Sequence, residues 1–348
     1  MILILATLVF ILLRVMPGDP CLAIHGGHST KDVLESCREK AGLNKPLPLQ
    51  YVDYVAGICC RGQVDSNFPY LHWEPLDFGI SFRSGRTVRA EILSKLPATM
   101  ELALTAMFIA VLIGLASGIW GAVRRDHLID HGLRIFNIAA FAIPIFWLGL
   151  MLQIVFGIFF NQWFGWGLPI GGRLGNVNAL ALKDQCAALG WCSGFYLIDS
   201  ALVGNWTAFG DALVHLLLPS FTLGLVLSGI IGRISRANML EVLDKEYVTT
   251  ARSKGLEERW VVLSHALRNA LIPIVTVIGL QFAVLLGGAV LTETVFTWDG
   301  LASYLIRAIG ARDYNAIQGF VVFFAIFVST VNLIVDLLYS RLDPRVRY

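Results

Sequence analysis

A chain of 348 residues that is 56% hydrophobic and only 15% charged, with a mean hydropathy of +0.68, is too apolar for one or two water-soluble domains and reads as an integral membrane protein. Its formal net charge of +2, from 27 basic and 25 acidic residues, leaves no electrostatic footprint for nucleic acid, and no basic–aromatic stripe supplies one.

The first apolar run, ILILATLVFILLRVM, is marginal against the roughly 20 residues that cross the hydrocarbon layer. It lacks a basic lead and is followed by PGDP where a signal peptide would carry small residues for cleavage, so an uncleaved helix over residues 1–17 is expected. Residues 18–97 are too long for a simple connection. Their pieces LNKPLPLQYVDYV and FGISFRSGRTVRAEILSKLPATMELAL mix proline-set turns with amphipathic runs, which predicts a small lobe outside the membrane. In that lobe His25 and His28 follow Cys21 at a spacing open to a metal, but a loop with two glycines and no fourth ligand nearby favours no metal.

Residues 98–348 read as one membrane domain. Clear spans fall at about 98–123, 133–160, 212–232, 270–292 and 316–339, helical because lipid-exposed backbone must satisfy its own hydrogen bonds and the alternation of barrel strands is absent. With the first helix this predicts an all-α protein of six transmembrane helices. Arginine and lysine cluster near 124–134, over 233–268 and in the tail, which places these segments in the cytoplasm and 18–97, 161–211 and 293–315 outside. Pro144, Pro219 and Pro273 lie inside spans, where neighbouring helices can satisfy the freed carbonyls. Gly114, Gly118 and Gly121 permit close helix approach.

All six cysteines, Cys21, Cys37, Cys59, Cys60, Cys186 and Cys192, fall in the two long outer segments. An even number confined to one side points to an oxidising exterior and disulfides, with 15 possible pairings; unpaired small apolar residues are the alternative. The short glycine-containing loop CAALGWC makes Cys186 and Cys192 the favoured pair.

The one long polar stretch between spans is EYVTTARSKGLEERWVVLSHALRNALIP, residues 246–273. Leu243, Tyr247, Val248 and Ala251 share one helical face, Gly255 stands where a left-handed cap would end the helix, and Trp260, Leu263, Leu267 and Ala270 line up in a second run. Two short amphipathic helices joined at a glycine are therefore expected between the fourth and fifth spans. They would dock in a groove on a soluble partner or lie in the headgroups on their basic residues.

YVTTARSKGL followed by LSHALRNALIP resembles the cytoplasmic signature of the permease subunits of binding-protein-dependent ABC importers, Glu-Ala-Ala, three residues, then Gly. Thr249, Thr250 and Ala251 occupy the first three positions and Gly255 the last, while Arg268 stands where that signature often has proline. RVMPGDP, SFRSGRTV, LPATMELAL, IPIFWLGL, GGAVLTETVFTW and RLDPRVR follow in the order of the B-type subunit of dipeptide, oligopeptide and nickel importers. CCRGQVDSNFPYLHWEPLD and the Cys186–Cys192 region depart from that pattern and bear on how an external partner docks.

The resemblance implies half of a translocation pathway for di- and oligopeptides, in a multi-pass chain of the cytoplasmic membrane. Implied partners are a second permease subunit, two cytoplasmic ATP-binding subunits and an external solute-binding protein; nickel and oligosaccharides are alternative cargoes. This chain has no G-x-x-x-x-G-K-[ST] loop, so ATP and Mg belong to the partners, with no cofactor and no catalytic residue here. Residues 236–269 become the coupling segment. Tyr247, Ala251 and Leu256 are expected to contact the ATPase groove, Gly255 to make the turn, and Glu246, Arg252 and Lys254 to form rim pairs beside Thr250. Glu293, near the outer mouth, is the candidate for the substrate pathway, against a local bond in the outer loop. A self-sufficient channel or secondary carrier would require mid-span ionisable residues and internal repeats, and an intramembrane enzyme a motif such as H-E-x-x-H; neither pattern is found.

Overall fold

The computed structural model describes residues 2–15, 21–22, 30–40, 43–63, 72–74 and 76–342. His25, His28, residues 64–71 and 75 of the CCRGQVDSNFPYLHWEPLD stretch and the end of the tail lie outside them, as do the side chains of Cys37, Cys59 and Cys60. The helices are α1 (Ile2–Val15), α2 (Lys31–Lys40), α3 (Leu47–Cys60), α4 (Val88–Val123), α5 (Leu128–Ala142), α6 (Ile145–Phe164), α7 (Asn176–Leu189), α8 (Tyr196–Val203), α9 (Trp206–Leu243), α10 (Glu246–Ser253), α11 (Glu258–Leu286), α12 (Val290–Val295), α13 (Leu301–Gly310) and α14 (Tyr314–Leu342). A short antiparallel ribbon, β1 (Arg61–Gln63) with β2 (His72–Glu74), pairs Arg61 with Glu74.

Among the described residues five helices are long and apolar enough to cross a membrane: α4, α6, α9, α11 and the Tyr314–Val335 part of α14. The apolar helix at the amino terminus is shorter, so the expected sixth span rests on α1 alone. At a rise of about 1.5 Å per residue, the 36 residues of α4 and 38 of α9 run for about 54 and 57 Å, well beyond a hydrocarbon layer of about 30 Å.

The expected single span over 133–160 is corrected. The chain breaks at Ile143, whose extended backbone (φ −72°, ψ 127°) is what a following proline imposes, and Pro144 then stands at the start of α6. The membrane-length run is Ile145–Phe164, with α5 a separate 15-residue helix before it.

The chain forms two compact units, residues 1–96 with 301–329, and residues 97–300 with 330–348. The first is built on Phe78, Val88 and Ile92 packed with Leu301, Tyr304, Ile317 and Phe320. Asp313 fastens it: its carboxylate accepts the Ser81 hydroxyl at 2.6 Å and the Ala316 N–H at 3.1 Å, capping the start of α14.

In the second unit α4, α5 and α9 meet through small residues. A methyl group added to Gly118 would stand 2.5 Å from Ser235 Cβ and 2.8 Å from the Gly232 carbonyl, and one on Gly229 2.5 Å from the Asn137 carbonyl. The close approach read from Gly114, Gly118 and Gly121 is thus made chiefly against α9. Between α6 and α9, Leu174, Leu182, Cys186 and Ala212 form a core beneath α7 and α8, and the Cys186–Cys192 disulfide closes the loop after α7. Cys21 is also buried and disulfide-bonded.

Candidate coupling segment and the contacts that hold it

α9 stops at Leu243, and α10 starts after the extended Lys245, with Glu246 in its first turn beside unpaired amide groups. Val248 and Ala251 are buried on Val261, with Val242 and Leu243 completing the cluster. Ala251, expected to contact a partner, therefore anchors α10 to its own chain. Tyr247 and Leu256, each 43% exposed, remain on the open side. Tyr247 accepts a hydrogen bond from Asn269 at 3.0 Å, and the Thr250 hydroxyl turns back onto the Glu246 carbonyl at 2.9 Å.

Gly255 has φ +77°, and its N–H donates to the Arg252 carbonyl at 2.9 Å, so it ends α10 in the left-handed cap that the sequence suggested. Across this turn the Arg252 guanidinium meets Glu258 through Nη2 at 2.8 Å and Nε at 3.2 Å. Arg252 is thus engaged within the segment, whereas Glu246 and Lys254 lie exposed on its surface.

The expected second short helix is not separate. From Glu258 the chain passes through a π-helical turn, Val261–Ala266, directly into the long apolar helix, so the second half of the signature is the leading end of α11. Its buried side carries Val262, Ala266, Ala270 and Ile274 against Met239 of α9 and Ala122 of α4. Trp260 (64% exposed) and Leu263 (57%), placed by spacing on the same line as Ala270, turn outward. The wider π turn rotates the face that a 3.6-residue repeat would predict.

A buried charge cluster lies at the same end of α9. Asp130, with no exposed surface, receives Arg236 Nε on Oδ1 at 2.6 Å and Arg236 Nη2 on Oδ2 at 2.7 Å. Arg134 Nη2 at 2.7 Å and the Asp126 N–H at 3.1 Å also donate to Oδ2. The Arg236 guanidinium, aided by Arg134 and opposed by burial, holds the Asp130 carboxyl well below the usual carboxylate range. Sequence reasoning counted Arg134 and Arg236 only as cytoplasmic markers; the overlooked signal was an aspartate in the first turn of a helix flanked by arginines.

In a second buried pair, Arg173, 10% exposed, donates to Glu101, 6% exposed, at 2.7 Å and to the Gly194 carbonyl at 2.9 Å. Its guanidinium lies 3.9 Å from the centre of the Tyr196 ring, and the Leu197 N–H donates to the other Glu101 oxygen at 2.9 Å. This cluster also escaped the sequence reading, although a carboxylate inside LPATMELAL is the kind of residue that is costly in a membrane without a partner. Glu293 is fully buried; its carboxylate accepts the Thr99 hydroxyl at 2.6 Å, and its main-chain carbonyl accepts the Trp298 N–H at 2.7 Å.

Residues 110–348 match the family model described as binding-protein-dependent transport system inner membrane component, and residues 1–103 match the model of the N-terminal part of such membrane components. The chain is 40% identical over 98% of its length, and 93% of the relative's, to the di/tripeptide transport system permease protein DppB of Pseudomonas aeruginosa. It is 40% identical over 97% of its length to the probable D,D-dipeptide transport system permease protein DdpB of Escherichia coli, covering 91% of that protein. The glutathione transport system permease protein GsiC of Escherichia coli is 34% identical over 99% of this chain and 94% of its own. Among solved structures, the inward-facing MetNI methionine ABC transporter aligns with a TM-score of 0.51 at 14% identity, over 73% of this chain and 97% of that one, a likeness of fold. With its membrane-length helices, the glycine-capped segment before α11 and these matches over nearly its whole length, the chain belongs to the binding-protein-dependent transport system inner membrane component family.

Proposed function

We propose that this chain forms half of the translocation pathway of an ATP-driven importer of short peptides. The observation that carries the reading is the near-full-length similarity to a di/tripeptide permease at 40% identity; two further relatives, named for D,D-dipeptides and glutathione, also take peptide cargo. The companions are a second permease subunit, two cytoplasmic subunits that bind ATP and Mg, and an external solute-binding protein that delivers the peptide.

In this reading α10 is the part that the ATPase pushes. Its open edge carries Glu246 and Tyr247, with Lys254 and Leu256 exposed in the turn that follows, while Val248 and Ala251 fasten it to α9 and to the start of α11. Closure of the ATPase pair displaces α10, and the rigid helices attached to it carry the movement into the pathway, a rigid-body alternation between inward-open and outward-open states. Glu293 supports the outer loop through Thr99, and its part in the pathway is to hold that loop in shape.

The test is reconstitution of the chain with its companion subunits in vesicles. Dipeptides presented by the solute-binding protein are expected to accelerate ATP hydrolysis and to accumulate inside. Accumulation without ATP, or ATP hydrolysis indifferent to peptide, overturns the proposal.

A further inference from the structure

Asp130 is used by none of the steps above, yet its position is unusual. Four donors, three from arginine side chains and one from the backbone, converge on its two oxygens, and none of its surface reaches solvent. A buried ion pair is a poor source of net stability, because apolar residues of similar volume usually do as well; what a two-pronged guanidinium–carboxylate pair adds is a fixed orientation.

The elements that it orients are particular ones. Asp130 sits in the first turn of α5, and Arg236 lies about two turns before the end of α9. The next stretch of α9 carries Met239, packed on Val262 and Ala266 of α11, and then Val242 and Leu243, against which Val248 and Ala251 of α10 are buried. On the other side Gly121 of α4 leaves room for the pair: a methyl group there would stand 3.3 Å from both Asp130 Oδ1 and Arg236 Cδ. The pair therefore lies where α4, α5 and α9 converge, just before the point at which α9 meets the segment expected to receive the push.

We propose that Asp130 is a positioning residue for transport: with Arg236 it fastens α5 to the inner end of α9, so that a displacement of α10 reaches α5 and α9 as one body. The inference rests on the importer reading. Without the fastening, α9 follows α10 while α5 lags, and ATP is hydrolysed without a matching movement of peptide.

The test measures peptide accumulated per ATP hydrolysed in the fully reconstituted complex, with the peptide KM recorded alongside. Asp130→Asn and Arg236→Lys are each expected to lower the ratio by about fivefold to tenfold, within the span by which residues off both sites alter coupling, with KM unchanged. Arg134→Gln, which removes one donor and keeps the two-pronged pair, should stay within about twofold of wild type on the same scale. A wild-type ratio in either of the first two variants overturns the inference, and so does a fall in Arg134→Gln as deep as in Asp130→Asn, since that pattern belongs to general loosening. If Asp130→Asn does not assemble, Arg236→Lys decides alone. A wild-type complex that moves no peptide overturns the importer reading and this inference with it, whereas a coupled wild type with equally coupled variants overturns the inference only.

Discussion

Replacing Gly255 separates a backbone requirement from a packing requirement. Its φ of +77° lies in the left-handed region, and a β-carbon built there meets no heavy atom within 4 Å. Sterically, any side chain fits; the penalty is conformational, about 1–2 kcal/mol for an L-residue and larger for a β-branched one. Reduced freedom of the unfolded chain returns about 0.4–1 kcal/mol of this. Gly255→Ala should therefore weaken the turn by about 1 kcal/mol, Gly255→Val by more, and Gly255→Asn least, because asparagine tolerates this region. A loss of 1–2 kcal/mol shifts a two-state turn by a factor of about 5–30, and the Arg252–Glu258 pair at 2.8 Å is exposed on both sides and offsets little of it. The assay is peptide uptake normalised to the amount of assembled complex. Uptake should fall in the order Gly, Asn, Ala, Val at equal insertion. Wild-type uptake by Gly255→Val, or an order that follows side-chain volume and places Asn below Ala, refutes the backbone argument.

Three other expectations follow from packing and charge. Arg173→Gln and Glu101→Gln should each cost about 3–5 kcal/mol, as when one member of a buried pair is removed, and the double variant less than the two together, measured by thermal unfolding of the purified protein; additive losses would show that the 2.7 Å contact carries no coupling. Gly118→Ala forces a methyl group to 2.5 Å from Ser235 Cβ and should lose about 1–3 kcal/mol through overpacking, whereas Gly210→Ala, with open space around it inside α9, should be neutral or slightly stabilising. Closing the Cys186–Cys192 loop should stabilise the region around α7 and α8 by about 2–3 kcal/mol on the chain-entropy account, so Cys186→Ser with Cys192→Ser should make residues 174–205 more sensitive to protease; unchanged cleavage, or free thiols at both positions in the wild-type protein, contradicts this.

What could be read from the residues alone was whatever depends on one stretch at a time. Apolar length gave the membrane helices, Gly255 announced its left-handed cap, and the short spacing of Cys186 and Cys192 announced their disulfide. What escaped depends on partners distant in the chain. Asp130 meets Arg236 across 106 positions and Glu101 meets Arg173 across 72, and neither spacing leaves a periodic trace. Face assignment failed for a related reason. An apolar side chain near a membrane can turn to protein or to lipid with similar gain, so hydrophobic spacing alone did not separate buried Ala270 from exposed Trp260 and Leu263. Pro144 was visible, but whether a proline bends a span or ends one helix and begins another is decided by what packs around it.

The continuity of α11 alters what the proposed coupling segment must do. Two loose helices joined by a glycine would pass a push through two flexible points, at residues 244–245 and beyond the second helix. Here the only left-handed break within residues 246–286 is Gly255, and from Glu258 the helix runs unbroken through Val261–Ala266 into the apolar span. In the proposed importer a push on this leading end would be delivered along a continuous rod, which would make the rod's stiffness a requirement. Leu263 tests it: its side chain is 57% exposed, so Leu263→Ala removes little packing, whereas Leu263→Pro deletes a backbone donor and costs about 3 kcal/mol in a helix interior. Uptake per ATP should survive the alanine and collapse with the proline, even in complexes that assemble in normal amount. Equal loss in both variants would mean that the exposed leucine itself contacts a partner, and equal retention would mean that α11 need not be continuous for transport.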